Sequence, residues 1–195
     1  MPQQRHALCC VLALLAGTPA WAQSEANTAW PALSRGYLGL SLGQSDYRVG
    51  CGNTLFPCDE KDNSVNLYAG SMLGNFWGVE LGYINMGRVD RAGGSTKVQG
   101  LNLSLVGNAP LGGSAFGVFG KLGTTYGFTD SSTAAGSGAA GGSENGFGLS
   151  YGAGVSYDFT PKLSATLGWD SHDLRFAGSG RDAVRSTSLG LRYRY

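Results

Sequence analysis

The sequence predicts an all-β chain, an eight-stranded antiparallel up-and-down transmembrane β-barrel. Three observations carry this. Apolar residues alternate with Gly, Ser, Asn and Thr over successive segments of about ten residues, the period of a strand with two unlike faces. The connections between these segments alternate between tight and long. Beyond the first 22 residues no segment carries a convincing helical period, and Gly supplies 33 of the 195 residues.

Residues 1–22 are set apart from the rest. Arg5 and His6 precede the apolar run Ala7 to Ala16, and Ala20-Trp21-Ala22 is a small-x-small cleavage site. The run is too short to cross a bilayer as a helix, so the segment is read as a secretory signal peptide. Cys9 and Cys10 lie within that run, upstream of the cleavage site, which speaks against a lipoprotein anchor. The barrel domain is then expected to occupy residues 23–195.

The strands follow in order. Leu38, Leu40 and Leu42 alternate with Gly39, Ser41 and Gly43, giving a first strand at 36–45. Val65, Leu67 and Ala69 mark the second at 63–73, and Val79, Leu81 and Tyr83 the third at 76–86. Leu101, Leu103 and Leu105 mark the fourth at 97–107, and Val118, Gly120 and Leu122 the fifth at 115–127. Phe147 to Tyr157 alternate through the sixth at 146–158; the seventh and eighth are placed at 162–172 and 184–195. The connections Leu73–Asn75, Asn108–Ser114 and Phe159–Lys162 are read as tight, 87–96 as moderate, and 46–62, 128–145 and 173–183 as longer. The even strand count and the strand length suit a membrane barrel, whose sheet must close because lipid leaves an open edge unpaired. A soluble lipocalin-like barrel or sandwich would also alternate, but its polar face would carry more charge than these Gly, Ser and Asn positions do. Aromatic residues near the strand ends fit two interfacial girdles: Trp77, Phe116, Tyr157 and Tyr193 towards the short turns, and Tyr83, Tyr126 and Trp169 towards the longer loops.

Strand parity sorts the charges. Glu80 sits between the lipid-facing Val79 and Leu81, so it points into the lumen. Lys121, Asp170, Arg192 and Arg194 point inward by the same rule. Loss of Arg5 with the signal peptide leaves 13 basic residues against 13 acidic ones. That balance offers no basic patch for nucleic acid. Cys51 and Cys58, six residues apart in an exported chain, are read as a disulfide within the first long loop. It would contribute about 2–3 kcal/mol by restricting the unfolded chain. A zinc site would need further ligands, and His172, the one histidine beyond the signal peptide, is distant in sequence; no metal or other cofactor is expected.

The chain closes on Ser188-Leu-Gly-Leu-Arg-Tyr-Arg-Tyr195, with Gly190, Tyr193 and the terminal aromatic Tyr195. This resembles the C-terminal signal read by the barrel-assembly machinery of Gram-negative outer membranes, with Tyr in place of the usual Phe. Gly78-Val-Glu-Leu-Gly-Tyr83, Phe119-Gly-Lys-Leu-Gly123 and Leu189-Gly-Leu-Arg-Tyr193, in this order, resemble the eight-stranded transmembrane domain of the OmpA/OmpX-type proteins. The resemblance implies a small barrel with a polar, hydrogen-bonded interior and external loops. It further implies that Glu80 and Lys121 meet in the lumen, as the corresponding residues of OmpA members do. Gly168 stands where that pattern has a further carboxylate. The peptidoglycan-binding domain of full-length OmpA proteins is not expected.

The expected role is therefore a structural or interactive one in the bacterial outer membrane: membrane integrity, and contact with a surface or host ligand through the loops. Its expected partners are outer-membrane lipid, lipopolysaccharide and the assembly machinery. The rival reading is a porin-like, low-conductance channel gated by the lumen charges. A weaker rival is a lipid A-modifying enzyme built on Ser171-His172-Asp173; consecutive strand residues point to alternate faces and cannot form a triad among themselves.

Overall fold

The computed structural model describes residues 36–47, 61–91, 94–132, 141–177 and 180–195. The predicted signal peptide, Cys51 and Cys58 lie outside the described residues. Eight strands run in sequence: β1 (Gly36–Tyr47), β2 (Lys61–Met72), β3 (Trp77–Arg91), β4 (Gly94–Pro110), β5 (Phe116–Ser131), β6 (Gly142–Asp158), β7 (Leu163–Phe176) and β8 (Gly180–Arg194). Each pairs antiparallel with its sequence neighbours, and β1 closes on β8 from Tyr37↔Arg194 to Tyr47↔Val184. The fold class read from the sequence is the fold observed.

Parity does the sorting. Leu38, Leu40, Leu42, Leu101, Leu103, Leu105, Leu189 and Leu191 are all exposed on the outer wall, as are Val79, Leu81 and Leu122. Their inward neighbours Ser41, Glu80, Asn102, Ser104, Thr125, Ser150 and Arg192 are buried. An apolar exterior around a polar interior is the inverse of a water-soluble barrel and the arrangement that lipid demands. Aromatics mark both edges of this wall. Phe116 and Tyr157 lie 4.9 Å apart, centre to centre, at the short-turn end, with Phe159 5.2 Å from Tyr157. Tyr126 lies between Phe128 and Phe147 at 5.0 and 4.8 Å at the other end.

The short turns fall within the expected connections, although β4 runs on through Asn108 and Ala109 to Pro110, paired with β5. Leu73 N–H donates to Trp77 O at 2.8 Å, and Phe159 N–H to Leu163 O at 3.0 Å. Gly112 and Gly113 both take positive φ, 49° and 55°, and turn β4 into β5. At the opposite end the expected strand limits are too short. β3 and β4 pair as far as Arg91↔Gly94, so 87–96 is not a loop. β7 and β8 pair to Phe176↔Gly180, and β5 and β6 to Ser131↔Gly142, which trims the connections placed at 173–183 and 128–145. These extensions carry Arg88, Asp90, Asp130 and Glu144. Above the lipid the ladder still needs its hydrogen bonds, but the outer wall no longer needs apolar side chains, so the alternation fades before the strand ends.

β3 also holds an irregularity. Its register with β4 shifts between Asn85 and Arg88, and Gly87 takes φ 83°. This is a bulge built on a glycine in the left-handed region. It reverses parity, so that Ile84 and Met86 face inward before it and Val89 after it. Neighbouring groups take up the disrupted backbone. Ser45 and Tyr47 hydroxyls donate to Met86 O at 2.6 and 2.9 Å. Arg88 N–H donates to Asp62 Oδ2 at 2.5 Å and Gly87 N–H to Asn85 Oδ1 at 3.0 Å.

Gly87→Ala is expected to destabilise the barrel by about 1–2 kcal/mol from the left-handed backbone alone. A Cβ there would also crowd Asp62 and the Asn63 carbonyl. Urea unfolding of the refolded barrel measures this; an unchanged midpoint would mean that the bulge relaxes without cost.

Candidate functional site: the filled lumen

The interior has three layers. Nearest the short turns lies a cationic and aromatic layer. From β5, Lys121 reaches across to Glu80 of β3, its Nζ 2.5 Å from Oε1. β4 separates the two strands in the sheet, so the pair spans the lumen. Tyr37 of β1 donates its hydroxyl to the other carboxylate oxygen of Glu80 at 3.1 Å. Both Glu80 oxygens thus have a donor, and the side chains of the ion pair are 3% and 9% exposed. A pair so withdrawn from water persists only when geometry and further hydrogen bonds offset the lost hydration.

Arg192 of β8 lies beside this pair without joining it. Its guanidinium carbon stands 4.8 Å from the Tyr37 ring centre, 5.4 Å from Phe119 and 5.9 Å from Tyr68. Lys121 Nζ lies 4.8 Å from Tyr68 and 5.6 Å from Phe119. The two cations therefore share one aromatic set, whose ring faces attract positive charge. Asp170 faces the same space from β7 but forms no direct ion pair among the described residues. Arg194 is elsewhere, at the rim, bonded to Asp158 Oδ1 at 2.9 Å. Of the five charges assigned to the lumen, the structure joins Glu80 to Lys121, sets Arg192 and Asp170 around them, and pairs Arg194 separately. Gly190 is buried against Ser41, whereas Tyr193 and Tyr195 are exposed at the short-turn edge.

Strand parity turns Phe119 inward beside Lys121, but the gathering of Tyr37, Tyr68 and Phe119 around the two cations was missed in the sequence, although a signal was there. Tyr37 faces Gly70 across the β1–β2 ladder, and Tyr68 faces Gly39. Each ring occupies the space that a Cβ on the opposing glycine would fill. The ring of Phe119 likewise lies against Gly154, with Gly168 beyond it. Gly168, where the family pattern has a carboxylate, thus leaves room for Phe119 and sits beside Asp170.

The middle layer is a neutral hydrogen-bond network. Asn102 Nδ2 donates to Thr125 Oγ1 at 2.9 Å and Ser150 Oγ at 2.6 Å, while its Oδ1 accepts from Ser104 at 2.5 Å. Thr125 Oγ1 lies 2.8 Å from His172 Nδ1. His172 is therefore inward and bonded within the network. Ser171 and Asp173, its neighbours in sequence, lie on the opposite parity of β7. The outer layer is apolar: Tyr47, Ile84, Met86, Val89, Val98, Leu174, Phe176 and Val184 pack as one cluster, each at most 4% exposed. This cluster, too, was not foreseen.

Glu80→Gln or Lys121→Met alone is expected to leave an unpaired charge and cost about 3–5 kcal/mol where the site is dry. The double replacement should cost less than the two single losses added, with a coupling in the range of about 0.5–3 kcal/mol. Unfolding in detergent reads the cycle. Strict additivity would assign Glu80 a different partner, Arg192 being the nearest candidate.

Comparison with known proteins follows the geometry. No curated protein sequence matches this chain. The structure of Neisserial surface protein A is similar, with 15% identity and a TM-score of 0.64, covering 82% of this chain and 97% of that one. The outer membrane protein OprG of Pseudomonas aeruginosa gives 17% identity and a TM-score of 0.59, covering 83% of this chain and 96% of that one. The attachment invasion locus protein Ail of Yersinia pestis gives 19% identity and 0.55, covering 83% and 99%. At these identities the likeness is one of fold. The sequence model described as the outer membrane protein beta-barrel domain matches residues 8–195. With that match over nearly the whole length and a closed eight-stranded barrel beneath it, the chain belongs to the outer membrane protein beta-barrel domain family.

Proposed function

We propose that this protein is a structural and interaction barrel of the outer membrane, and that it presents its loops outward without conducting ions. The filled lumen supports this reading most directly. A hydrated ion crossing the barrel would have to displace eight packed apolar side chains at one end and pass the Glu80–Lys121 pair towards the other. A small barrel has little interior left once its side chains fill it. The charge pair then serves to hold opposite walls together rather than to open.

The channel reading makes a different demand. It needs Glu80 and Lys121 to be the barrier, so that breaking them lets ions through. The enzyme reading finds no support in the geometry of β7, where His172 bonds Thr125 inside the lumen while Ser171 lies on the opposite parity. The short turns and the C-terminal Gly190, Tyr193 and Tyr195 are assigned to the periplasmic side, and recognition of that terminus to the assembly machinery. The connections at 48–60 and 132–141 are assigned to the cell exterior, the first stiffened by a Cys51–Cys58 disulfide. Contact with a surface or host ligand falls to these loops.

Planar-bilayer recording of the purified barrel is expected to show no conductance steps for the native protein or for Glu80→Gln. Met86→Ala with Leu174→Ala, which thins the apolar layer, should produce them. Steps from Glu80→Gln alone would favour the gated channel. Protease added to whole cells should cut between residues 132 and 141, the stretch between β5 and β6; protection in intact cells, with cleavage after the outer membrane is opened, would reverse the orientation.

A further inference from the structure

The outer wall is apolar across the lipid band and turns polar towards the loop end, and on β8, β1 and β2 that change falls in one row. On β1 the outward series Leu38, Leu40, Leu42 gives way to Gln44 and Asp46. On β8 the series Tyr193, Leu191, Leu189 gives way to Thr187 and Arg185. On β2, Leu67 and Val65 give way to Asn63 and Lys61. The register aligns these changes: Asp46 is opposite Arg185 on one side and Lys61 on the other. Two cations and one carboxylate therefore stand in a row across β8, β1 and β2, on the face directed away from the lumen.

The row borders a cavity of about 300 Å³ lined by Gln44, Asp46, Lys61, Trp169, Arg185 and Thr187. The guanidinium carbon of Arg185 lies over the Trp169 ring, 5.9 Å from its centre, on an aromatic face that attracts positive charge. The Nε of Arg185 is buried and has no hydrogen-bond partner among the described residues. Among the described residues the ion pairs are Lys121–Glu80 and Arg194–Asp158, so Asp46 is paired with neither cation of the row. The row thus carries one net positive charge, with two cations that Asp46 does not neutralise by direct pairing.

Its height identifies what it meets. Arg185 is eight residues along β8 from Tyr193 of the short-turn girdle. At about 3.4 Å per residue and a tilt of about 35–45°, that is about 20 Å along the membrane normal, near the far edge of an apolar band about 25 Å tall. In the orientation proposed above, on which this inference rests, that edge is the headgroup level of the outer leaflet. The lipid there is a phosphorylated glycolipid, and Arg is suited to bind a phosphate through paired N–H donors.

We propose that Arg185 and Lys61 form a binding site for a phosphate of the outer-leaflet glycolipid, with Trp169 positioning the guanidinium, Gln44 and Thr187 offering neutral hydrogen bonds, and Asp46 limiting the affinity. The site lies on the barrel wall, apart from both the loops and the lumen. It would anchor a shell of glycolipid to the protein and set the depth of the barrel in the leaflet.

The test uses the purified full-length barrel in detergent, with bisphosphorylated lipid A as probe and native mass spectrometry to count retained lipid. Circular dichroism and heat-dependent gel migration verify folding of each variant. Native protein should retain bisphosphorylated lipid A in preference to its dephosphorylated form and to phosphatidylglycerol. Arg185→Gln with Lys61→Gln should weaken retention by about tenfold or more. Asp46→Asn should strengthen it, and Lys162→Gln at the opposite end should leave it unchanged. Unchanged retention in the double variant, or equal retention of dephosphorylated lipid A, overturns the site. Equal retention of phosphatidylglycerol, lost in parallel, overturns its assignment to the outer-leaflet glycolipid. Because binding is read on purified protein and orientation on whole cells, the failure of either is visible separately.

Discussion

The fold depends on one constraint: within lipid no backbone N–H or C=O has water to turn to. Every strand must therefore be paired on both edges, and the ladder from Tyr37↔Arg194 to Tyr47↔Val184 that joins β8 back to β1 removes the last open edge. Closure fixes the two faces of each strand for its whole length. Once Leu38, Leu40 and Leu42 are committed to lipid, Tyr37, Gly39, Ser41 and Gly43 are committed to the lumen. The small and polar residues inside are a consequence of that division. An eight-stranded ring leaves room for side chains alone, and the inward backbone-facing positions must supply their own hydrogen-bond partners.

The same narrowness explains why charges survive inside. An isolated carboxylate at the Glu80 position would be prohibitively costly, but the lumen is narrow enough for Lys121 to reach it from a strand two places away. Space then becomes the limiting quantity. Three aromatic rings fit around the two cations because the wall behind each ring is glycine: Gly70 behind Tyr37, Gly39 behind Tyr68, and Gly154 behind Phe119. Much of the unusual glycine content is thus the complement of large side chains on the neighbouring strand, not a source of flexibility.

This division also decides what could be read from sequence. The lipid-facing half was legible because lipid imposes a uniform rule, so Leu, Val and Tyr at every second position gave the strands, their order and the parity of Glu80 and Lys121. Strand ends were legible only at the short turns, where Gly112, Gly113, Pro110 and Pro161 punctuate the chain. At the other end the strands outlast the lipid, and residues such as Arg88, Asp90 and Asp130 look like loop although they are paired. The interior was the least legible part. Which of Tyr37, Tyr68 and Phe119 meets Arg192 depends on register between strands distant in sequence. The outer apolar cluster depends on a bulge at Gly87 that shifts parity mid-strand, so Val89 enters the core against the alternation that precedes it.

The two ends of the lumen are consequently unlike. Towards the short turns it holds ionic and aromatic groups, and a mouth of about 540 Å³ lined by Tyr37, Asn108, Arg192 and Arg194 opens below them. Towards the loops it closes on Met86, Val98, Leu174 and Phe176, with no charged side chain in the cluster. An apolar layer of this kind stabilises the part of the barrel that rises beyond the lipid band. There the sheet has water outside it and can form an ordinary hydrophobic core within, as a soluble domain does. The protein is thus a membrane barrel with polar contents at one end and a small globular core at the other. Such a core supports a firm platform at the loop end, and in the proposed orientation any chemistry directed at the cell exterior resides on that platform and on the wall around it, because the interior is already occupied.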